Sequence, residues 1–208
     1  MTGPNPKDAP HRDEASDRDD GTAAEFLALA DLARKVADSL GDDVEAVAES
    51  VLTTFREGGR LLFCGNGGSA ADAQHLAAEY VVRFKRERGA LPAVALTTDT
   101  SVLTAGGNDY GFDTIFSRQV EAHGRPGDLL FLHSTSGESE NLLRAAESAR
   151  EIGVKTVALL ARGGGRLKDA VDMAVVLPTD STARAQELHL AIGHVVCEIV
   201  DRELARGG

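Results

Sequence analysis

The chain has 208 residues, 42% of them hydrophobic, which is enough apolar surface for one globular domain with its own core. A formal net charge of -11 excludes a broad basic surface of the kind that tracks a nucleic-acid backbone, so any bound anion must be held locally. Two cysteines, Cys64 and Cys197, make no disulfide framework and fit a reducing cytoplasm, while the absence of a long apolar run or signal-type N-terminus argues against a membrane partner or export.

Residues 1–22 mix Pro, Gly and charge with no apolar side chain larger than Ala after Met1, and are expected to be a disordered tail; residues 23–208 form the folded domain. From Ala23 to about Gly58 apolar residues recur at helical spacing, predicting two helices parted at Gly41 to Asp43. Short apolar runs then alternate with helical stretches: RLLFCG (60–65), PAVAL (92–96), DLLFLHS (128–134), KTVALLA (155–161) and MAVVLP (173–178). Buried-type strands separated by helices predict an α/β fold of three layers, a five-stranded parallel sheet with helices on both faces. ARGGGR (161–166) reads as a loop after the fourth strand, and Thr182 to Arg206 as one long C-terminal helix.

In open parallel sheets, ligands bind where strands end and helix N-termini present free amides. Two Gly/Ser turns sit in that position. CGNGGSAAD (64–72) carries Gly65, Gly67 and Gly68 ahead of Ser69, and HSTSGESEN (133–141) sets Ser134, Thr135, Ser136 and Ser139 around Gly137. A single turn of this kind also serves as a plain capped connection. Neither matches a P-loop or a dinucleotide motif, so a monophosphate held by hydroxyls and amides is the better physical reading.

Polar groups also line up on the helices. His75 and Glu79, four apart, share one helix face; Gln186 and His194, eight apart, lie about 80° from one another on the last helix. Each has an ordinary reading as a solvated or satisfied residue. Two helices bringing two such side chains each would instead make a zinc-type site, provided that they meet.

GNGGSAADAQHLAAE, TTDTSVLTAGGNDYGFDTIFSRQVEAHGRPGDLL, STSGES and RAQELHLAIGH together resemble the phosphoheptose isomerases, which are sugar isomerase (SIS) domain enzymes, over about Ala23 to Leu204. The resemblance implies a SIS-type, flavodoxin-like fold, a homotetramer with active sites between subunits, and a cytoplasmic isomerase making heptose precursors from sedoheptulose 7-phosphate. By matching position it places phosphate contacts on Ser69, Ser134, Thr135, Ser136 and Ser139, and sugar contacts on Asn66, Gly67, Gly68, Asn108 and Asp109. Glu79 and His194 become the acid/base pair, and His75, Glu79, Gln186 and His194 the ligands of a zinc ion, with Glu79 and Gln186 also near substrate. Tetramerisation is expected to bring the two ligand-bearing helices together from different chains. Without the resemblance, GGNDYGFD (106–113) reads as a turn.

Two positions depart from the family pattern. Glu138 stands where an Asn or Asp is usual, and its carboxylate must point away from a phosphate; Ala183 replaces an Asp found in some members. Two other functions compete with the isomerase: a non-catalytic SIS tetramer that binds the bacterial replication initiator, and a sugar-phosphate-sensing or arabinose 5-phosphate isomerase. Four convergent polar side chains favour the heptose enzyme, because a scaffold has no need of them.

Overall fold

The computed structural model describes residues 16–206, with side chains from 21 to 205. Helix α1 (Ser16–Ser39) begins inside the segment expected to be a tail, whose first fifteen residues lie outside the described ones. Helix α2 (Gly41–Arg56) follows after a break at Leu40, so Gly41 opens the second helix instead of interrupting the pair. Val44, Val47, Ala48, Val51 and Leu52 are buried on one face of α2, the spacing of an amphipathic helix.

The alternating part runs β1 (Leu61–Gly65), α3 (Gly68–Val81), β2 (Ala93–Ala95), α4 (Thr100–Tyr110), α5 (Ser117–His123), β3 (Leu129–Ser134), α6 (Glu140–Glu151), β4 (Lys155–Leu160), β5 (Met173–Val176) and α7 (Thr182–Arg206). The strands form one parallel sheet in the order β2-β1-β3-β4-β5, the flavodoxin-like arrangement. All five expected strands are present, and the last helix has the expected bounds.

Every residue of β1 and β3 is buried, as a strand covered on both faces requires. Side chains alternate between two cores. Leu61, Phe63, Leu129 and Phe131 join residues of α2, α3 and α7 on one face. Leu62, Cys64, Leu130 and Leu132 join Val120 of α5 and Leu142, Ala145, Ala146 and Ala149 of α6 on the other. Both cysteines are buried and unpaired, and burial pushes the Cys197 thiol up to about 12.

Helices α3 and α7 run side by side in the same direction: Gly68 meets Gln186 at their beginnings and Leu76 meets Gly193 two turns on. The approach is close, because a Cβ at Gly193 would overlap the Leu76 side chain. This contact forms within one chain, which corrects the expectation that the ligand-bearing helices come from different subunits.

The far ends of the two helices are tied by a buried ion pair. Arg88 donates from Nε to Asp201 Oδ1 at 2.7 Å, and its other nitrogens donate to the carbonyls of Glu79 and Tyr80, both at 2.8 Å. Asp201 also accepts from the amides of Lys85 and Arg86. Burial alone would raise its carboxyl, but these bonds outweigh burial and hold it below the ordinary carboxylate range. Breaking a buried pair strands a charge, so Asp201→Asn is expected to lose about 3–5 kcal/mol in urea unfolding. Because the folded carboxyl is depressed, its contribution is full above the ordinary carboxylate range and is lost as pH falls through the folded value. Acid titration of stability should therefore lose that component in Asp201→Asn.

Candidate active site

The sheet order reverses between β1 and β3, so the chain leaves β1 toward β2 on one side and β3 toward β4 on the other. In open parallel sheets such a divergence is where a crevice forms, at the carboxyl ends of the two strands, which here run in register with Gly65 opposite His133. Both Gly/Ser turns emerge there.

The first turn passes from Gly65 through Asn66 and Gly67 into α3, with Gly67 as the N-terminal cap residue. The Ser69 amide donates to the Asn66 carbonyl at 3.0 Å, and the Ser69 side chain is buried in the opening turn of the helix. In the second turn, Ser134 Oγ accepts from the Gly137 amide at 3.0 Å and Ser136 Oγ accepts from the Glu138 amide at 3.2 Å. Thr135, Ser136 and Ser139 are half-buried. Ser139 is the cap residue of α6 without a side-chain capping bond, which leaves its hydroxyl for other use.

A reciprocal amide pair joins the two turns. Asn66 donates to Asn141 Oδ1 at 3.0 Å, and Asn141 donates back to Asn66 Oδ1 at 2.9 Å. Asn66, which the resemblance made a sugar contact, thus also fixes the spacing of the turns. Asn141 escaped the sequence reading; an Asn at the start of an amphipathic helix is the signal the sequence carries, and its burial appears only in the structure.

The ARGGGR loop supports the second turn from behind. Gly137 has φ +66, and a Cβ there would overlap the Gly164 carbonyl, so both the backbone conformation and the close approach demand glycine. The Leu167 amide donates to the Gly137 carbonyl at 3.0 Å. Glu138 turns away to Arg166, which donates from its amide at 2.9 Å and from Nε at 2.8 Å. Those hydrogen bonds hold the Glu138 carboxyl below its ordinary range. The departure at Glu138 is thereby accommodated.

Further along α3, His75 Nε2 lies 2.9 Å from His194 Nε2 and 3.2 Å from Glu79 Oε1. One ligand atom from each of His75, Glu79 and His194 lies within 4.8 Å of the others. The His194 ring stacks on Phe84, with centroids 5.2 Å apart, and burial lowers its pKa, aided by the neighbouring His75. Gln186 is placed differently. Its amide rests against Gly68, seven residues and about 10 Å along the α3 axis from His75. Ala183 lies in the first turn of α7, one turn before Gln186.

Asn108 and Asp109 stand in the last turn of α4, exposed, with Asn108 Nδ2 donating to Asp109 Oδ1 at 2.7 Å. The turn read into residues 106–113 is instead the end of a helix, since α4 continues through both glycines to Tyr110 and stops at Gly111. Asp99 caps α4 by accepting from the Val102 amide, and that bond offsets the low helix propensity of Gly106 and Gly107.

Residues 12–161 match the SIS domain family model. The chain belongs to the SIS domain family. Within it, this SIS domain is 53% identical to the phosphoheptose isomerase of Akkermansia muciniphila over 88% of this chain and 96% of that one. It is 54% identical to that of Roseiflexus sp. over 86% and 91%. Among solved structures, the phosphoheptose isomerase of Neisseria gonorrhoeae superposes with a TM-score of 0.84 at 42% identity, covering 88% of this chain and 98% of that one. The corresponding structure from Francisella tularensis gives 0.85 at 37%, covering 88% and 97%.

Freed from Arg166, the Glu138 carboxylate would add an unpaired negative charge beside the hydroxyls of the second turn. Arg166→Ala is expected to raise the KM for a sugar phosphate about tenfold, the equivalent of about 1.4 kcal/mol. Adding Glu138→Gln should restore most of the affinity, as steady-state kinetics would show.

Proposed function

We propose that this SIS domain enzyme interconverts D-sedoheptulose 7-phosphate and D-glycero-D-manno-heptose 7-phosphate in heptose precursor biosynthesis. Relatives over half identical across most of both chains carry the name phosphoheptose isomerase. The observation that carries the reading is internal: one helix begins at an anion-type turn and presents a carboxylate and an imidazole further down, against an imidazole from α7. From Ser69 to His75 and Glu79 is about 9 to 15 Å of helix, the span of an extended sugar phosphate.

In this reading the hydroxyls of Ser69, Ser134, Thr135, Ser136 and Ser139 hold the phosphate with the amides around them. Asn66, Gly67 and Gly68 border the sugar chain, and Asn108 and Asp109 close over it. Aldose-ketose conversion needs a base at carbon and a proton transfer between oxygens. Glu79 takes the proton from C1 of the ketose and returns it to C2. His194, kept neutral by its half-buried position, takes the proton of the C1 hydroxyl and supplies one to the C2 oxygen, so the enediol forms and collapses without net change of charge.

The same residues fit a zinc-type ion. Two imidazole nitrogens and a carboxylate oxygen converge with the soft-to-hard donor mix that zinc accepts. His75, Glu79 and His194 would hold it while neither Glu79 nor His194 carries a transferred proton, and Gln186, whose amide now lies against Gly68, is the fourth ligand that the resemblance implies. When bound, the ion would supply Lewis-acid polarisation of the carbonyl and hydroxyl oxygens.

A homotetramer with active sites between subunits is supported by α4, which buries none of its residues and leaves Tyr110 60% exposed beside the expected sugar contacts. Nearby Phe112 is 62% exposed. A cytoplasmic setting accords with the two unpaired, buried cysteines. Among the described residues no helix is long and apolar enough to cross a membrane. The initiator-binding scaffold is disfavoured, because it gives the His75, Glu79 and His194 cluster no work.

Glu79→Gln keeps size and polarity but removes the base, and is expected to lower kcat about 10²- to 10⁴-fold with little change in KM. Near-normal turnover of sedoheptulose 7-phosphate would remove Glu79 from the mechanism. Incubation with a strong chelator should lower turnover, and zinc should restore it. Turnover unchanged by chelation would remove the ion from the chemistry and leave the acid/base pair.

A further inference from the structure

A second cluster lies deeper, between the sheet and the two parallel helices. His133 is the fifth residue of β3 and alternates onto the same face as Phe131, beneath α3 and α7. His189 comes from α7 and Asp72 from the second turn of α3. One ligand atom of each lies within 4.8 Å of the others.

Their bonding is unusual for a protein interior. Both imidazoles are fully buried, yet both nitrogens of His133, Nδ1 of His189 and Oδ2 of Asp72 have no hydrogen-bond partner. Such atoms ordinarily cost free energy unless something satisfies them. The exception within the cluster is informative. His189 Nε2 lies 3.2 Å from the Leu160 carbonyl, an acceptor only, so Nε2 carries the proton and Nδ1 presents a bare lone pair to the cluster. Imidazoles that bind metals are oriented in this way, with the far N–H on a backbone carbonyl. Burial keeps both rings neutral, lowering His133 to about 3 and His189 to about 4. The Asp72 carboxyl is raised to about 6 by burial, partly opposed by His75, as expected of an acid without a cation beside it. Phe63 and Phe131 flank His133 and keep the surroundings apolar.

We propose that Asp72, His133 and His189 form a buried divalent-cation site, separate from the His75, Glu79 and His194 cluster and suited to zinc. Two neutral imidazoles and one carboxylate are three ligands of a four-coordinate ion, and Asp72, the least buried of the three, is the side from which the ion and a fourth ligand, water, enter. The ion would tie β3, α3 and α7 together directly below the two turns, because Ser134 follows His133 and Ser69 precedes Asp72 by less than a turn. It would act as a structural staple, with no part in the isomerisation.

The test removes the outer cluster first. Full-length protein carrying His75→Ala and His194→Ala, loaded with zinc and washed, is expected to retain about one ion per chain by elemental analysis. Loaded with cobalt(II) instead, it should show the intense visible bands of a four-coordinate ion. Adding His133→Leu, which fills the space with an apolar side chain, should abolish both signals while circular dichroism stays unchanged. Asp72→Asn in the same background gives a second reading, at the least buried of the three positions, and should weaken retention at least tenfold. A folded His75→Ala/His194→Ala protein that retains no ion overturns the proposal, leaving water as the occupant; so does retention indifferent to Asp72→Asn and His133→Leu.

Discussion

The parallel contact of α3 with α7 is the constraint on which the functional end of this molecule depends. Leu76 fits against Gly193 because glycine leaves that surface bare, and the fit sets the register between the helices. With that register His75 reaches His194, and Gly68 reaches Gln186. A slip of one residue on α7 would rotate its polar groups by about 100° and scatter them. The Arg88 and Asp201 pair closes the contact at its far end, and does so by capping the carbonyls of Glu79 and Tyr80, in the last turn of α3. The Glu79 carboxylate is thereby carried on a helix whose last turn is anchored to its partner helix.

The end that carries the two Gly/Ser turns is built by a different device. Nothing there is deeply hydrophobic; the turns are held by backbone amides, by the Asn66 and Asn141 pair and by the loop that follows β4. Hydroxyls that would ordinarily be spent on helix caps are partly spared, as at Ser139. Support comes from behind the turn, where Gly137 meets Gly164 and Arg166 draws Glu138 aside. Rigid strands therefore position a polar loop in which Ser134 and Ser136 brace the turn and Ser139 makes no capping bond.

Much of this architecture is legible in the sequence because buried strands and amphipathic helices impose different periods, and those periods alternate cleanly from Arg60 onward. The turns are legible too, since glycine and hydroxyl residues at strand ends carry their own conformational logic. What could not be read depends on contacts between distant segments. Whether α3 meets α7 within a chain is decided by packing at Leu76 and Gly193, which no local pattern encodes. Gly106 and Gly107 suggested a turn, but the Asp99 cap and the neighbouring residues carry the helix through them. His133 was hidden by its setting, one imidazole inside an apolar strand, and its relation to His189 and Asp72 appears only once three elements are assembled.

The shared direction of α3 and α7 has an electrostatic side. Each helix is a dipole with its positive end at the N-terminus, and side-by-side dipoles pointing the same way repel. Here both positive ends lie at the mouth of the crevice, with Gln186, one turn into α7, lying beside the first residue of α3. An anion seated there is attracted by both and screens each from the other. The backbone alone thus concentrates positive potential at one end of the molecule, at the cost of a repulsion between two helices that their shared packing outweighs.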